Sequence, residues 1–267
     1  MPKPLTLQGF RPVASASPGT AGAGWAVPAD FQRQLAHEMK NHIASLQSAS
    51  YLLSRHGRDL AAERERKWLA TCDRSIEAMR RLVEQIEQLE RALGDADPGR
   101  REPVELRSWL SALAERAGVG EGKADWTWEV ASEPAEGWVM PRRAVEEAWP
   151  CLFANAVRFA EPGTRPALRI RGRDGGLDLE VETSGAGLSP EEVARLGEPF
   201  FQGHNARGQG GAGLGIPLVL VLLSRAGGML WHEQPAPNRT LFRSWIPAVA
   251  ADPDSGGGSA DPVGTAG

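Results

Sequence analysis

The sequence predicts an antiparallel helical hairpin, paired with a second copy into a dimeric four-helix bundle, followed by an α/β sandwich. Three observations predict it: two long stretches with apolar residues at three- and four-residue spacing, a change to alternating patterns beyond about residue 103, and helical segments interleaved with those alternating runs. In the first stretch, residues 28 to 56, Leu35, Met39, Ile43, Leu46 and Leu53 fall on one helical stripe, and Pro28 and Asp30 supply start signals. A turn is expected near Gly57. The spacing resumes at Cys72, Ile76, Met79, Val83, Ile86, Leu89 and Leu93, so a second helix ends before Gly94 and Pro98. Two helices with one apolar stripe each cannot bury both stripes alone, which is why a homodimer is expected through the hairpin. Strands follow at 126–130, 167–171, 177–183, 228–232 and 241–246, with helices at 141–160, 189–196 and 214–226. The segments 1–27 and 248–267, rich in Pro, Gly, Ala and Ser, read as disordered tails flanking a hairpin domain (28–98) and the sandwich (99–247).

Composition narrows the function classes. Of 267 residues, 41% are hydrophobic and 24% charged, which suits a chain with a packed core and excludes a disordered one. A net charge of -4 gives no field that would gather phosphate backbones, so nucleic acid is not an expected partner. Cys72 and Cys151 lie far apart with no metal-ligand spacing, which fits a reducing, cytoplasmic setting. The first residues lack the apolar core of a signal peptide, and no run approaches the roughly eighteen apolar residues of a membrane span. The nine tryptophans are spread along the chain and read as core and interface residues, not as a ligand cage.

The chemistry-bearing residues fall in two groups. In LAHEMKNHIASL, with Leu35 toward the core, His37 lies about 200° round the helix and faces outward. Glu38 is its neighbour and Asn41 stands one turn on, so an imidazole, a carboxylate and an amide share one patch. A neutral imidazole attacks phosphorus well when a carboxylate takes or orients its ring proton. His37-Glu38-Met39-Lys40-Asn41 resembles the dimerization and phosphotransfer domain of bacterial sensor histidine kinases, whose signature is His-Glu, two residues, Thr or Asn, then usually Pro. The resemblance implies His37 as phosphoacceptor, Glu38 as the acid/base beside it, and Asn41 as the residue used in dephosphorylating a partner receiver. His42 stands where the family usually has Pro, which removes a helix bend and no catalytic group.

Downstream, CLFANAVRFA, VETSGAGLSPEEVARLGEPFF and GQGGAGLGIPLVLVLL follow in order. Together they resemble the ATP-binding domain shared by histidine kinases, gyrase and Hsp90-type proteins, in the order N box, first Gly box, Phe box, second Gly box. The resemblance spans about residues 31 to 247 and implies ATP and Mg2+. Asn155, with Leu152 and Phe153 toward the core, would offer an amide oxygen to Mg2+ between phosphates. Arg158 would face the same anion. Gly185 and Gly187 would let the backbone pass close to a planar base. Gly211, Gly213, Leu214 and Gly215 open an apolar helix whose free amides would point at phosphate. Residues 201 to 211 would form a short lid carrying His204 and Arg207.

Three residues depart from the pattern. Thr183 stands where the family has the Asp that accepts from the adenine amino group, and the alternation of Leu177, Leu179, Val181 and Thr183 places it on the inward face. A neutral acceptor there loses about 1–2 kcal/mol relative to a charged one, a roughly five- to thirtyfold weaker grip. Cys151, four residues before Asn155, takes the place of an Asn, or of the catalytic Glu of water-splitting ATPases, which disfavours simple hydrolysis. Pro150 should bend its helix at a cost of about 3 kcal/mol.

The resemblance thus implies a two-component signalling kinase, soluble and without a sensor domain. It would phosphorylate His37 from Mg-ATP, pass the phosphoryl group to an aspartate of a response-regulator receiver domain, and act also as its phosphatase. Input would come from a separate sensor protein or through the bundle. The alternative is an ATP-independent phosphotransfer or phosphatase protein whose degenerate nucleotide domain serves for receiver docking.

Overall fold

The structure, a computed structural model, describes residues 2–13, 24–56, 62–94, 100–116, 126–130, 137–206 and 211–251. The turn expected near Gly57 lies outside these residues. Helix α1 (Phe31–His56) starts with the Phe31 amide donating to Pro28 O and that of Gln34 to Asp30 O, both at 3.0 Å. Helix α2 (Ala62–Gly94) carries Glu63 and Glu65 in its first turn and Arg91 in its last, which complements the helix dipole. The late part of α1 meets the early part of α2 across a groove lined by Tyr51, Cys72 and Ile76, as antiparallel packing requires.

The apolar spacing read from the sequence divides in the fold. Leu82 and Leu89 of α2 are buried, whereas Ile76 and Val83 are 55% and 48% exposed, and Met39 and Ile43 of α1 are open as well. Near the end of α2, the Arg225 guanidinium donates to the Leu93 carbonyl at 2.8 Å and to that of Ala92, closing the free end of the helix against the following domain.

That domain has two layers. A five-stranded sheet in the order β4 (Thr127–Val130), β6 (Ala167–Arg173), β7 (Gly176–Ser184), β9 (Arg239–Pro247), β8 (Met229–Ala236) is antiparallel apart from the β4–β6 pair. Alternation sets its faces: Leu177, Leu179, Val181 and Thr183 of β7 point inward and are buried. On the outward face Glu182 binds Arg169 at 2.9 Å and also Arg239 at 2.6 Å. The inner face is covered by α4 (Arg142–Phe159) and α6 (Gly215–Arg225). Pro150 does not end α4, which runs unbroken through it and buries Trp149, Leu152 and Phe153.

Elements beyond the sequence reading complete the domain. Helix α3 (Leu106–Arg116) packs on α4, where the Trp109 indole donates to Glu146 at 2.9 Å. A second sheet of three strands orders β10 (Val249–Ala250), β5 (Trp138–Met140) and β3 (Glu102–Val104). The domain therefore runs past residue 247: Ala248 is buried, and only residues 252–267 of the expected C-terminal tail lie outside the described residues.

The N-terminal segment corrects the expectation of a disordered tail over 1–27. Leu5 donates its amide to Leu230 O on β8 at 2.8 Å, Gln8 donates to Gly197 O at 3.3 Å, and its side chain reaches Ala194 O. Leu5 and Leu7 pack on the core and Phe10 is buried. Thr6 O lies 2.0 Å from where a Cβ on Gly197 would stand, so a glycine is needed for the approach. Composition hid this because three apolar side chains finding a groove is a tertiary event. Strands β1 (Arg11–Val13) and β2 (Gly24–Ala26) then pair antiparallel before α1.

Candidate active site

A cleft of about 640 Å³ opens between α4, α6, the inner face of the sheet and α2. Asn155, Arg158, Thr183, Gly211, Gly213 and Gly215 all line it. The sequence motifs thus converge. Their convergence follows from three periodicities: Asn155 lies on the α4 face next to the buried Leu152 and Ala156, Thr183 sits on the inward register of β7, and the glycines lead into α6.

At one end, Thr183 is 6% exposed and donates its hydroxyl proton to Ala156 O at 3.1 Å. With its single proton used, Oγ1 has only lone pairs left for a ligand. Thr183 is therefore an acceptor by constraint, as the Asp it replaces would be by charge. Thr240, its partner across the ladder, and Phe242 extend the same wall.

At the other end stands the start of α6. Leu214 caps it without a side-chain hydrogen bond, and the first internal bond runs from Leu218 N to Leu214 O at 3.0 Å. The early amides are those of Gly215 and Ile216, since Pro217 has none. A Cβ on Gly215 would lie 3.9 Å from Asn155 Nδ2, which places the carboxamide beside the helix start. The Asn155 carboxamide has no hydrogen-bond partner among the described residues, so its oxygen suits a hard cation carried on a ligand's phosphates. Arg158 lies against Gly211, whose Cβ would stand 2.2 Å from Nη1. Gly211 and Gly213 have φ of +102° and +72°, values that other residues adopt at a cost.

The first Gly box works differently from the expectation. A Cβ on Gly185 would meet Phe159 O at 2.1 Å, and one on Gly187 would meet Gln234 Nε2 at 2.1 Å. Neither glycine lines the cleft; the close approach they permit is to neighbouring protein. They shape the wall that ends in Thr183.

Cys151 lines the cleft; its thiol donates to Glu147 O, and burial pushes its pKa up to about 12. The early part of the expected lid is anchored. Glu192 accepts from the His204 amide at 2.7 Å and from Ser189 N at 2.9 Å, and these amides hold its carboxyl down at about 2. His204 Nδ1 also meets Glu192 at 2.9 Å, and Asn205 donates to Ala186 O at 3.0 Å. Arg207 lies outside the described residues.

His37 and Glu38 do not reach this cleft. They line an adjoining groove with Arg195 and Phe200, which shares Phe201 and Gln202 with the cleft, while Asn41 is exposed. Phe31 at the base of α1 packs on Phe200, with ring centres 5.0 Å apart, and Phe200 itself has a φ of +65°. Sequence reasoning missed the α2 side chains Arg80, Arg81, Glu84, Gln85 and Gln88, which also line the cleft.

Comparison with known proteins matches these parts. Residues 29–94 match the family model of the His Kinase A (phospho-acceptor) domain, and residues 142–250 that of the histidine kinase-, DNA gyrase B-, and HSP90-like ATPase. The sensory histidine kinase/phosphatase NtrB of Rhodobacter capsulatus is 30% identical over 234 residues, covering 80% of this chain and 61% of NtrB. The histidine-protein kinase/phosphatase MprB of Mycobacterium ulcerans is 31% identical over 165 residues, covering 61% of this chain and 31% of MprB. The chain thus spans about three fifths of the first of these relatives and less of the second. The solved histidine kinase AdeS of Acinetobacter baumannii shares the fold with a TM-score of 0.59 at 18% identity, over 79% of this chain and 97% of AdeS. Histidine kinase ThkA, solved in complex with response regulator TrrA, gives 0.60 at 15%, over 82% of this chain and 61% of that one. No described helix is long and apolar enough to cross a membrane. With a phospho-acceptor domain followed by a kinase-type ATPase domain, the chain belongs to the histidine kinase family.

Proposed function

We propose that the protein is an ATP-dependent histidine kinase that phosphorylates His37 and passes the phosphoryl group to an aspartate of a response-regulator receiver domain. The observation that carries this reading is the cleft itself, in which a constrained acceptor at Thr183 faces Asn155, Arg158 and the open start of α6. Thr183 would accept from the adenine amino group. Arg158 and the amides of Gly215 and Ile216 would hold the phosphates. Mg2+ on the Asn155 oxygen would offset charge between the phosphates during transfer. A ring nitrogen of His37 bonds to the γ-phosphorus as the bond to the bridging oxygen breaks, Glu38 takes the ring proton, and ADP leaves. Asn41, exposed one turn on, would orient water during dephosphorylation of a receiver.

His37 lines the adjoining groove and not the cleft itself, a separation that transfer would have to close. The exposure of Met39, Ile43, Ile76 and Val83 supports a homodimeric bundle. Two free cysteines suit action in the cytoplasm. A second reading, receiver phosphatase without nucleotide transfer, is favoured by that same separation and by the kinase/phosphatase names of NtrB and MprB.

The test is incubation with γ-labelled ATP and Mg2+ beside a His37→Ala control. Acid-labile, alkali-stable label that disappears with His37→Ala is the expected result. A wild-type protein that stays unlabelled and whose melting temperature Mg-ATP does not raise would overturn the kinase reading in favour of the second.

A further inference from the structure

The cleft is not built by the catalytic domain alone. Arg81, on α2 of the hairpin, shares its lining with Arg158 and Gly211, at the end where the phosphate-facing elements converge. Two guanidinium groups stand together there, and the carboxylates around them are engaged elsewhere. Glu84 binds Arg80, Glu146 binds Arg142 at 2.8 Å, and Glu147 binds Arg143 at 3.5 Å. Arg158 has no carboxylate partner among the described residues. Arg81 reaches Glu77 Oε1 at 3.4 Å, but Arg80 already holds that oxygen at 2.7 Å and the second Glu77 oxygen at 2.9 Å. Burial, and then the charge of Arg81, lower the pKa of Arg158. Two under-neutralised cations facing one space are stabilised by an anion between them.

We propose that Arg81 is a nucleotide-binding residue, forming with Arg158 a two-arginine clamp on the terminal phosphates of a nucleoside di- or triphosphate, so that the ligand itself ties the hairpin to the catalytic domain. The proposal rests on the reading of this cleft as the nucleotide site. It assigns a ligand contact to the helix that lacks the phosphoacceptor.

The test uses the full chain and two probes, Mg-ADP and adenosine, titrated by calorimetry into the wild type, Arg81→Gln and Arg81→Lys. Arg81 is half exposed, so its replacement leaves the core intact. Arg81→Gln is expected to weaken Mg-ADP about tenfold and leave adenosine unchanged, the scale of one hydrogen bond to a charged group. Arg81→Lys should recover most of that loss. Equal loss of both probes, which a merely structural role would give, overturns the clamp, as does no loss of either. A wild type that binds neither probe removes the nucleotide reading itself, a failure distinct from normal binding that is indifferent to Arg81.

Discussion

Helix α6 buries every residue from Ile216 to Leu223, whereas along the hairpin Met39, Ile43, Tyr51, Leu69, Ile76 and Val83 each stay more than a third exposed. Both regions are rich in apolar residues, and the sequence predicts helices in both. They differ in how many chains are needed to finish the core. The catalytic domain closes its layers within one chain, with Trp149, Leu152 and Leu177 fully buried. The hairpin holds half of a core and displays the remainder. Stability of the first should therefore be unimolecular, and completion of the second should depend on concentration.

Four changes would break or sharpen that contrast, beginning with the largest. Leu152→Ala empties a fully buried site on α4 and should lower stability by about 2–5 kcal/mol in urea unfolding of the catalytic domain. The loss should not vary with protein concentration; if it does, the domain is not closed. His232 comes next. It is 8% exposed, its Nε2 has no partner among the described residues, and burial pushes its pKa down to about 4. The fold keeps it neutral while the unfolded chain protonates near 6.5, so stability is full above that pH and falls as pH drops toward 4, by about 3 kcal/mol in all. Urea midpoints between pH 7.5 and 4.5 should show this slope, and His232→Phe should flatten it.

Thr183→Val keeps shape and removes the acceptor from the closed domain, so Mg-ATP should bind about tenfold more weakly, while Thr183→Ser should stay within about threefold. Fluorescence titration that finds Val and Ser equal would show that Oγ1 makes no ligand contact. Smallest in folding terms is Ile76→Lys, at an open position of α2. Unfolding of a single chain should change by no more than about 0.5 kcal/mol, yet sedimentation should show a dimer becoming a monomer. A dimer that persists would place the seam elsewhere.

Periodicity made much of this legible. The 3.6-residue spacing located α1, α2 and the buried face of α4, and the alternation in β7 put Thr183 inward and Glu182 outward, where the structure has them. What escaped is held by contacts that local pattern does not encode. Strands β3 and β5 are three residues each, too short to alternate, and they exist because they pair with one another and β5 pairs also with β10. The segment of Leu5, Leu7 and Phe10 looked like a Gly- and Pro-rich tail because its order comes from a groove beside Gly197. Nothing in the sequence singles out Arg81 among the charges of α2, and only the docking of α2 on α6 brings it to the cleft. Gly185 and Gly187 were placed in a tight approach for the right reason and against the wrong neighbour.

The packing of residues 2–10 changes what kind of joint the molecule has. The chain leaves the catalytic domain to form the hairpin and returns to the same domain afterwards, so the hairpin is an excursion gripped at both of its ends. One grip is Phe31 on Phe200, beside the N-terminal segment, and the other is Arg225 on the last carbonyls of α2. A body hung from a single strand can swivel about it in any direction. One held along an edge by two clasps has a hinge line, and opening it means tilting about that line or releasing a clasp.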